Sequence, residues 1–294
     1  MEMKRVEGQG VPLTSKSNPV YQGSFLKVVT HSDLPVLLIE NLVLQTAYLK
    51  SCQKPISLLL LGKPGIGKSR LLSPLAKLKE VSYVNDITPK YLVEFLGKVK
   101  NKQKKFLAIP DFTNCMSHGK NTRNTLVAVL RSMTEEGVVD LSDYHLEFKS
   151  DKPVRAGLLT ATTHTSYGEF KKQWKGTGFL SRLLPFSFSH SVATREKIMN
   201  NIDSQTPDLI NKVKFQIKRK TKTVICPESL LRQLRAYEEL LSKSSGSEPY
   251  RHQIQLNAIT EALVVLRENN EIIQEDIDTI AWLSNWINYD FKEV

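Results

Sequence analysis

Residues 56–69 read Ile56-Ser57-Leu58-Leu59-Leu60-Leu61-Gly62-Lys63-Pro64-Gly65-Ile66-Gly67-Lys68-Ser69. A short aliphatic run breaks off into a glycine-rich turn that carries a lysine and a serine. A brief apolar run bounded by such a turn reads as a buried strand. The turn fits the spacing G-x-x-x-x-G-K-[ST] of a phosphate-binding loop. Its glycines let the backbone curl so that several N–H groups face one phosphate chain. Lys68 reaches the β/γ-phosphates, and the Ser69 hydroxyl is available to Mg²⁺. A helix expected over Lys68–Leu72 turns its positive end toward the same anion. Gly62, Lys63, Pro64, Gly65, Ile66, Gly67, Lys68 and Ser69 are therefore the candidate ligands of ATP, with Mg²⁺ at Ser69.

Working outward, strands and helices alternate. A helix is expected from Ser32 or Asp33 to about Lys50, with Pro35 in its first turn. Pro74 comes early after the loop and ends or kinks the helix there. Val81–Ile87 and Phe106–Pro110 read as strands, and Thr88 caps a helix bearing Tyr91, Leu92, Phe95 and Leu96. Thr122–Glu135 has apolar residues at helical spacing. The period then falls to two through VVDLSDYHLEFK, a hairpin around Ser142-Asp143, and Ala156–Thr163 is another buried strand. This order predicts an α/β core with a mostly parallel sheet. After about Ser191 three amphipathic helices follow, around Leu234, Ile259 and Ile280. The expected organisation is a flexible arm at 1–31, an α/β core at 32–191 and a small all-helical lid at 192–294.

Composition bounds the function. With 294 residues, 40% of them hydrophobic and 24% charged, the chain has an ordinary globular make-up. No apolar run approaches the roughly 20 residues that span a bilayer, and the start MEMKRVEGQGVPL has no hydrophobic signal core. Cys52, Cys115 and Cys226 lie in no metal-ligand spacing. These features point to the cytoplasm, no membrane partner and no structural zinc. The formal net charge is +11 and the pI about 9.4, which favours a polyanion partner, nucleic acid first. Lysines cluster at 98–105, at 171–175 and, with Arg219, at 212–222. The plainer reading of these clusters is a solvated surface that keeps the protein soluble. No aromatic interleaving marks a base-stacking surface.

Nucleotide binding alone does not define a reaction, so the later polar positions matter. Asp111 ends the strand FLAIP, where a carboxylate holds Mg²⁺ in phosphate-loop proteins. Its neighbours are Pro110 and Phe112, so no second acid stands beside it. Either Asp111 holds the metal and the attacking water is positioned elsewhere, or Asp111 is the base and the metal site is thin. Thr163, at the end of TATT, is a candidate to meet the γ-phosphate or the water, with Thr162 competing for the role. Arg182 stands between apolar runs in Gly178–Phe188, GFLSRLLPFSF, where a guanidinium delivered to a γ-phosphate would stabilise developing charge. The alternatives are a capping aspartate, a β-branched strand residue and a surface arginine paired with a carboxylate.

Taken together, the order of motifs resembles the AAA+ ATPases. The nearest likeness is to their hairpin-bearing branch, with the minichromosome-maintenance helicases, magnesium chelatases and enhancer-binding activators. Phe179-Leu180-Ser181-Arg182-Leu183 resembles the arginine-finger segment of the helicases, and LRSMTEEGVVDLSDYHLEFKSDKPVRAGLLTATT resembles their helix–hairpin–sensor stretch. The resemblance implies a sensor role for Thr163, usually Asn in that family. It also implies a sensor-two role for Arg251, in Arg251-His252-Gln253 ahead of IIQEDIDTIAWL. It implies Mg·ATP held between core and lid, a homo-oligomeric ring, and a motor or switch acting on nucleic acid or nucleoprotein. Three departures stand out. The paired acid is missing, no winged-helix or large amino-terminal DNA-binding module is present, and the hairpin carries Asp140, Asp143, His145 and Glu147. An acidic hairpin is a poor grip on phosphates. A protein-remodelling motor and a nucleotide-gated assembly module with little turnover are the alternatives.

Overall fold

Five apolar segments of three to six residues form one parallel sheet in the computed structural model, which describes residues 33–143, 146–205, 207–221, 223–246 and 248–289. The expected arm at 1–31, His145 and Lys222 lie outside the described residues. The strands are β1 (Ser57–Leu61), β2 (Val81–Tyr83), β3 (Phe106–Ile109), β4 (Val138–Asp143), β5 (Leu146–Val154), β6 (Gly157–Thr162) and β7 (Leu183–Ser187). The sheet order is β2-β3-β6-β1-β7, and β4 and β5 stand apart as an antiparallel pair. All residues of β1, β3 and β6 are buried, as strands covered by helices on both faces require.

The first helices are α1 (Leu34–Thr46), α2 (Lys68–Leu72), α3 (Pro89–Lys100), α4 (Phe112–Ser117), α5 (Lys120–Thr134) and α6 (His164–Gly176). They are followed by α7 (Val192–Asp203), α8 (Glu228–Ser245), α9 (Pro249–Leu266) and α10 (Gln274–Ser284). Local chemistry sets several ends. Pro35 sits in the first turn of α1, and Thr88 caps α3 by accepting from the Tyr91 N–H. At Pro74, α2 has already given way to a 3-10 turn, Ser73–Lys77. Helix α1 stops at Thr46, short of Lys50, and every one of its residues is buried. Its polar face is not wasted on solvent. The Asn41 side chain accepts from the Gln216 N–H at 2.8 Å, and the Gln45 amide exchanges two hydrogen bonds with the Lys218 backbone. The 216–218 segment thus lies along α1.

Three features depart from expectation. Strand β7 was not foreseen, because Pro185 interrupts it. It pairs with β1 from Ser57↔Leu183 to Leu61↔Ser187 as the last strand of the sheet, where a residue without an N–H is tolerated. Its far side is covered by residues 286–288, with the Ser187 N–H donating to Trp286 at 2.8 Å. Helix α6 also went unread, although Tyr167 and Trp174 anchor it in the core with Trp174 among Phe112, Phe170 and Phe179. In the hairpin, Ser142 pairs with Glu147 and Asp143 with Leu146, so Ser142-Asp143 lie within β4 and not in the turn; the register slips between Val138 and Asp140. There Val138 pairs with Val154 and Asp140 with Lys149, so two steps along β4 face five along β5 and the surplus of β5 bulges out of the ladder.

After residue 191 the described residues form helices α7 to α10, with a non-helical stretch along α1 between α7 and α8, and pack closely onto what precedes them. The Tyr167 hydroxyl donates to the Tyr289 carbonyl at 2.8 Å, and the Tyr289 hydroxyl donates to Leu183 at 3.0 Å. Among the described residues no helix is long and apolar enough to cross a membrane.

Candidate functional site

In a parallel α/β sheet, crevices for ligands open outside the carboxyl ends of the strands, where chain connections diverge. Here the chain leaves β1 for the far edge at β2, returns through β3 and β6, and crosses β1 to reach β7. The loops that follow β1, β3, β6 and β7 all emerge at one edge. They bring the 62–69 loop, Asp111, Thr163 and His190 to the same side of the sheet.

The loop's shape depends on its glycines. Gly65 and Gly67 have φ of 76° and 93°, a region that side chains disfavour. A Cβ on Gly62 would lie 2.9 Å from Ile66 Cγ2 and 3.4 Å from the Phe188 carbonyl. The Lys68 ammonium folds into the loop and donates to the carbonyls of Gly62 and Lys63, each at 2.9 Å. Burial pulls its pKa below the ordinary lysine value, with the Asp111 carboxylate acting the other way. Lys68 and Asp111 therefore feel each other across the crevice. His190 Nε2 donates to the Ile66 carbonyl at 3.1 Å, and Arg195 Nε donates to the His190 carbonyl at 3.2 Å. These two residues steady the loop from β7 and α7. Sequence reasoning missed them, because His190 lies in no motif and nothing local marks its approach to residue 66.

The other candidates meet at the ends of β3 and β6. Ser69 Oγ donates to the Pro110 carbonyl at 3.3 Å, which ties the loop to the residue before Asp111. The Asp111 carboxylate accepts from the Thr113 N–H at 2.9 Å and caps α4. Capping occupies one oxygen. Thr113 Oγ1 lies 3.3 Å from Thr162 Oγ1. Thr163 caps α6, accepting from the Ser166 N–H at 3.1 Å. Both threonines thus stand at this edge, Thr162 buried and Thr163 half-buried. A hydroxyl and a carboxylate on adjoining loops form the sparse oxygen donor set that suits Mg²⁺, which keeps several waters and takes substrate phosphate oxygens as further ligands.

Arg182 and Arg251 are elsewhere. Arg182 precedes β7, level with Ile56 at the amino end of β1, so the sheet separates it from Gly62 by about 20 Å at the rise of a β-strand. Its guanidinium is 7% exposed, pairs with Glu136 at 2.7 Å and donates to the Gly178 carbonyl at 2.5 Å. Arg251 donates to Ser181 Oγ beside it. Lys54, Glu135, Ile254 and Gln255 line the same cleft. The two arginines come together, but on the side of the sheet opposite the 62–69 loop of their own chain. Arg251 therefore does not close over that loop. Its helix α9 is held on the amino-terminal side by the Ser181 and Tyr289 contacts, which no linear motif records.

No protein-family model matches the chain, and no curated protein matches it.

Proposed function

We propose that the protein is an AAA+ ATPase that binds Mg·ATP at residues 62–69 and works as a ring-forming motor or switch on nucleic acid. The observation that carries this reading is the junction at the carboxyl edge of the sheet. There the left-handed glycines of the loop, the folded-in Lys68 and Ser69 bonded to Pro110 lie next to Asp111. A phosphate chain entering the loop offers Lys68 better partners than two carbonyls, so the ammonium swings to the β/γ-phosphates. The loop N–H groups hold the same phosphates. Ser69 and Asp111 would hold Mg²⁺, whose contribution is to neutralise charge that builds on the phosphate oxygens. Thr163 is the candidate to meet a γ-phosphate or the attacking water, with Thr162 competing for the role at the same edge. Phe112 occupies the position beside Asp111 where a second acid would polarise that water, so turnover is slow unless another group supplies it.

Arg182 and Arg251 fit this reading as donors to the loop of a neighbouring copy, because the sheet keeps them from their own. The net charge of +11 supports a polyanion as the object of the work. All three cysteines are free, in keeping with a reducing cytoplasm. The missing second acid favours one other reading, an assembly module gated by nucleotide with little turnover.

The deciding experiment is ATPase rate with and without double-stranded DNA, together with calorimetry of Mg·ATP on the wild type and Lys68→Ala. Lys68→Ala should lose nucleotide binding while keeping its fold. Near-native affinity in a folded variant would sink the assignment, and measurable binding without turnover would leave the gated module.

A further inference from the structure

Three basic segments that are remote in sequence meet at the amino-terminal edge of β2 and β3, on the side of the sheet away from the 62–69 loop. Residues 98–105 (KVKNKQKK) leave α3 and enter β3, residues 77–80 enter β2, and residues 211–220 run past α1. They are joined to one another. Lys104 Nζ donates to the carbonyls of Lys79 and Val81 at 2.9 and 2.8 Å, and Lys77 Nζ donates to the Asn211 carbonyl at 2.5 Å. Arg219 pairs with Glu80, whose carbonyl accepts from the Lys105 N–H at 2.8 Å. Lys105 Nζ lies 4.7 Å from the centre of the Tyr48 ring and donates to Ala47.

The three segments hold twelve lysines and arginines and one acid, Glu80. Glu268 comes from the end of α9 to pair with Lys218. Lys79, Lys102, Lys214 and Lys220 are exposed and form no ion pair among the described residues. A surplus of this size on one edge repels itself, and such repulsion is relieved when a polyanion binds and sheds its counterions.

The chemistry of the edge narrows the partner. A membrane surface would need apolar side chains to insert beside the lysines. The large exposed apolar residues, such as Val139, Met199, Ile202 and Ile254, all lie outside these segments. A single strand would need exposed rings for its bases to stack on. Tyr48, Tyr91 and Phe215 are nearby rings, and all three are half-buried, Tyr48 under Lys105 and Tyr91 under Lys98. What remains is an array of ammonium groups able to meet phosphates spaced along a stiff backbone.

We propose that this edge binds the phosphodiester backbone of double-stranded nucleic acid, without regard to base sequence. The inference rests on the nucleic-acid part of the function proposed above. It places the contact on the edge opposite the nucleotide loop; the β4–β5 hairpin flanks this edge, with the Lys149 carbonyl accepting from Lys100 Nζ at 3.0 Å.

The test is fluorescence anisotropy of a labelled DNA duplex of mixed sequence with the full chain, across a salt series. The wild type should bind with a steep log-linear salt dependence. Lys79→Glu, Lys102→Glu, Lys214→Glu and Lys220→Glu in one chain should weaken binding roughly tenfold or more and flatten the slope by about three to four. The milder pair Lys102→Ala and Lys220→Ala should flatten it by about two. Lys172→Glu with Lys243→Glu, exposed on α6 and α8, should leave affinity unchanged. Wild-type affinity in the fourfold variant would overturn the proposal. So would loss of binding in the α6–α8 pair, tighter binding to single strands, or binding to phosphatidylserine vesicles in place of DNA. Mg·ATP affinity, read in parallel by calorimetry, tests the nucleotide reading alone, so the two fail separately.

Discussion

Asp111 serves two purposes at one place, and the residue scale is where they separate. Its carboxylate caps α4 through Thr113 and faces Lys68 across the crevice. Asp111→Asn keeps an oxygen for the cap, and asparagine is as good an N-cap as aspartate. The fold should therefore survive, while Mg²⁺ no longer strengthens nucleotide binding and hydrolysis stops. Calorimetry with and without Mg²⁺ checks this, and an unchanged Mg²⁺ effect would reduce Asp111 to a cap. Glu238, on α8, is a second residue whose surroundings make a prediction. It is 3% exposed, its Oε1 has no hydrogen-bond partner, and burial pushes its carboxyl up to about 7, against the pull of Arg235. The folded protein therefore holds this proton where the unfolded chain has released it. The stability this confers is complete below the ordinary glutamate value of 4.5 and is lost as the pH rises through about 7. Glu238→Gln should remove that dependence and be more stable than the wild type at pH above 7, by on the order of 1–3 kcal/mol. Urea unfolding on both sides of the transition measures it, and equal midpoints at the alkaline end would refute it.

At the scale of elements, the sheet depends on how closely β6 approaches its neighbours. A Cβ on Gly157, the first residue of β6, would lie 2.4 Å from the Phe106 ring and 3.0 Å from the Ile56 carbonyl. Phe106 is itself 1% exposed and cannot swing away. Gly157→Ala should cost about 1–3 kcal/mol through overpacking, visible as a lowered thermal midpoint with secondary structure retained. Several elements were legible in sequence for a physical reason. β1 and β3 are short, mostly aliphatic runs ended by turn residues, β6 is a buried run of small, aliphatic and β-branched residues, and Thr88 and Pro74 act within one turn of where they stand. Others were not legible. β7 is broken by a proline that only its edge position excuses, and α6 has a polar composition whose two anchoring aromatics make sense only beside Phe112 and Phe179.

At the scale of the whole molecule, the sheet divides the candidate chemistry between its two edges. The 62–69 loop, Asp111 and the threonines share the carboxyl edge, while Arg182, Arg251 and the lysine-rich segments share the amino edge. On the proposed function, a complete site then needs two copies of the chain. Arg182→Ala should bind Mg·ATP nearly normally yet fail to hydrolyse it. Mixing it with Lys68→Ala should restore part of the ATPase rate, because one junction in a mixed assembly has both an intact loop and an intact arginine. A rate of zero at every mixing ratio, with mixed assemblies confirmed, would assign Arg182 to the Glu136 pair alone.

The sequence by itself determined the glycine loop, the strands that lead into it and out to Asp111, and the helical character of the carboxy-terminal third. Each of these is written in residues adjacent along the chain, where periodicity, caps and glycine act over a few positions. It also recorded the basic surplus, but only as separate clusters. Tertiary structure alone decided that two of those clusters adjoin across β2 and β3, that His190 closes on Ile66, and that Arg251 stands beside Arg182 instead of over the loop. The Arg251–Ser181, His190–Ile66 and Arg219–Glu80 pairings join residues 70, 124 and 139 positions apart, and no local preference encodes them. They are set by which faces must be buried together and by the order β2-β3-β6-β1-β7 in which the five parallel strands lie side by side.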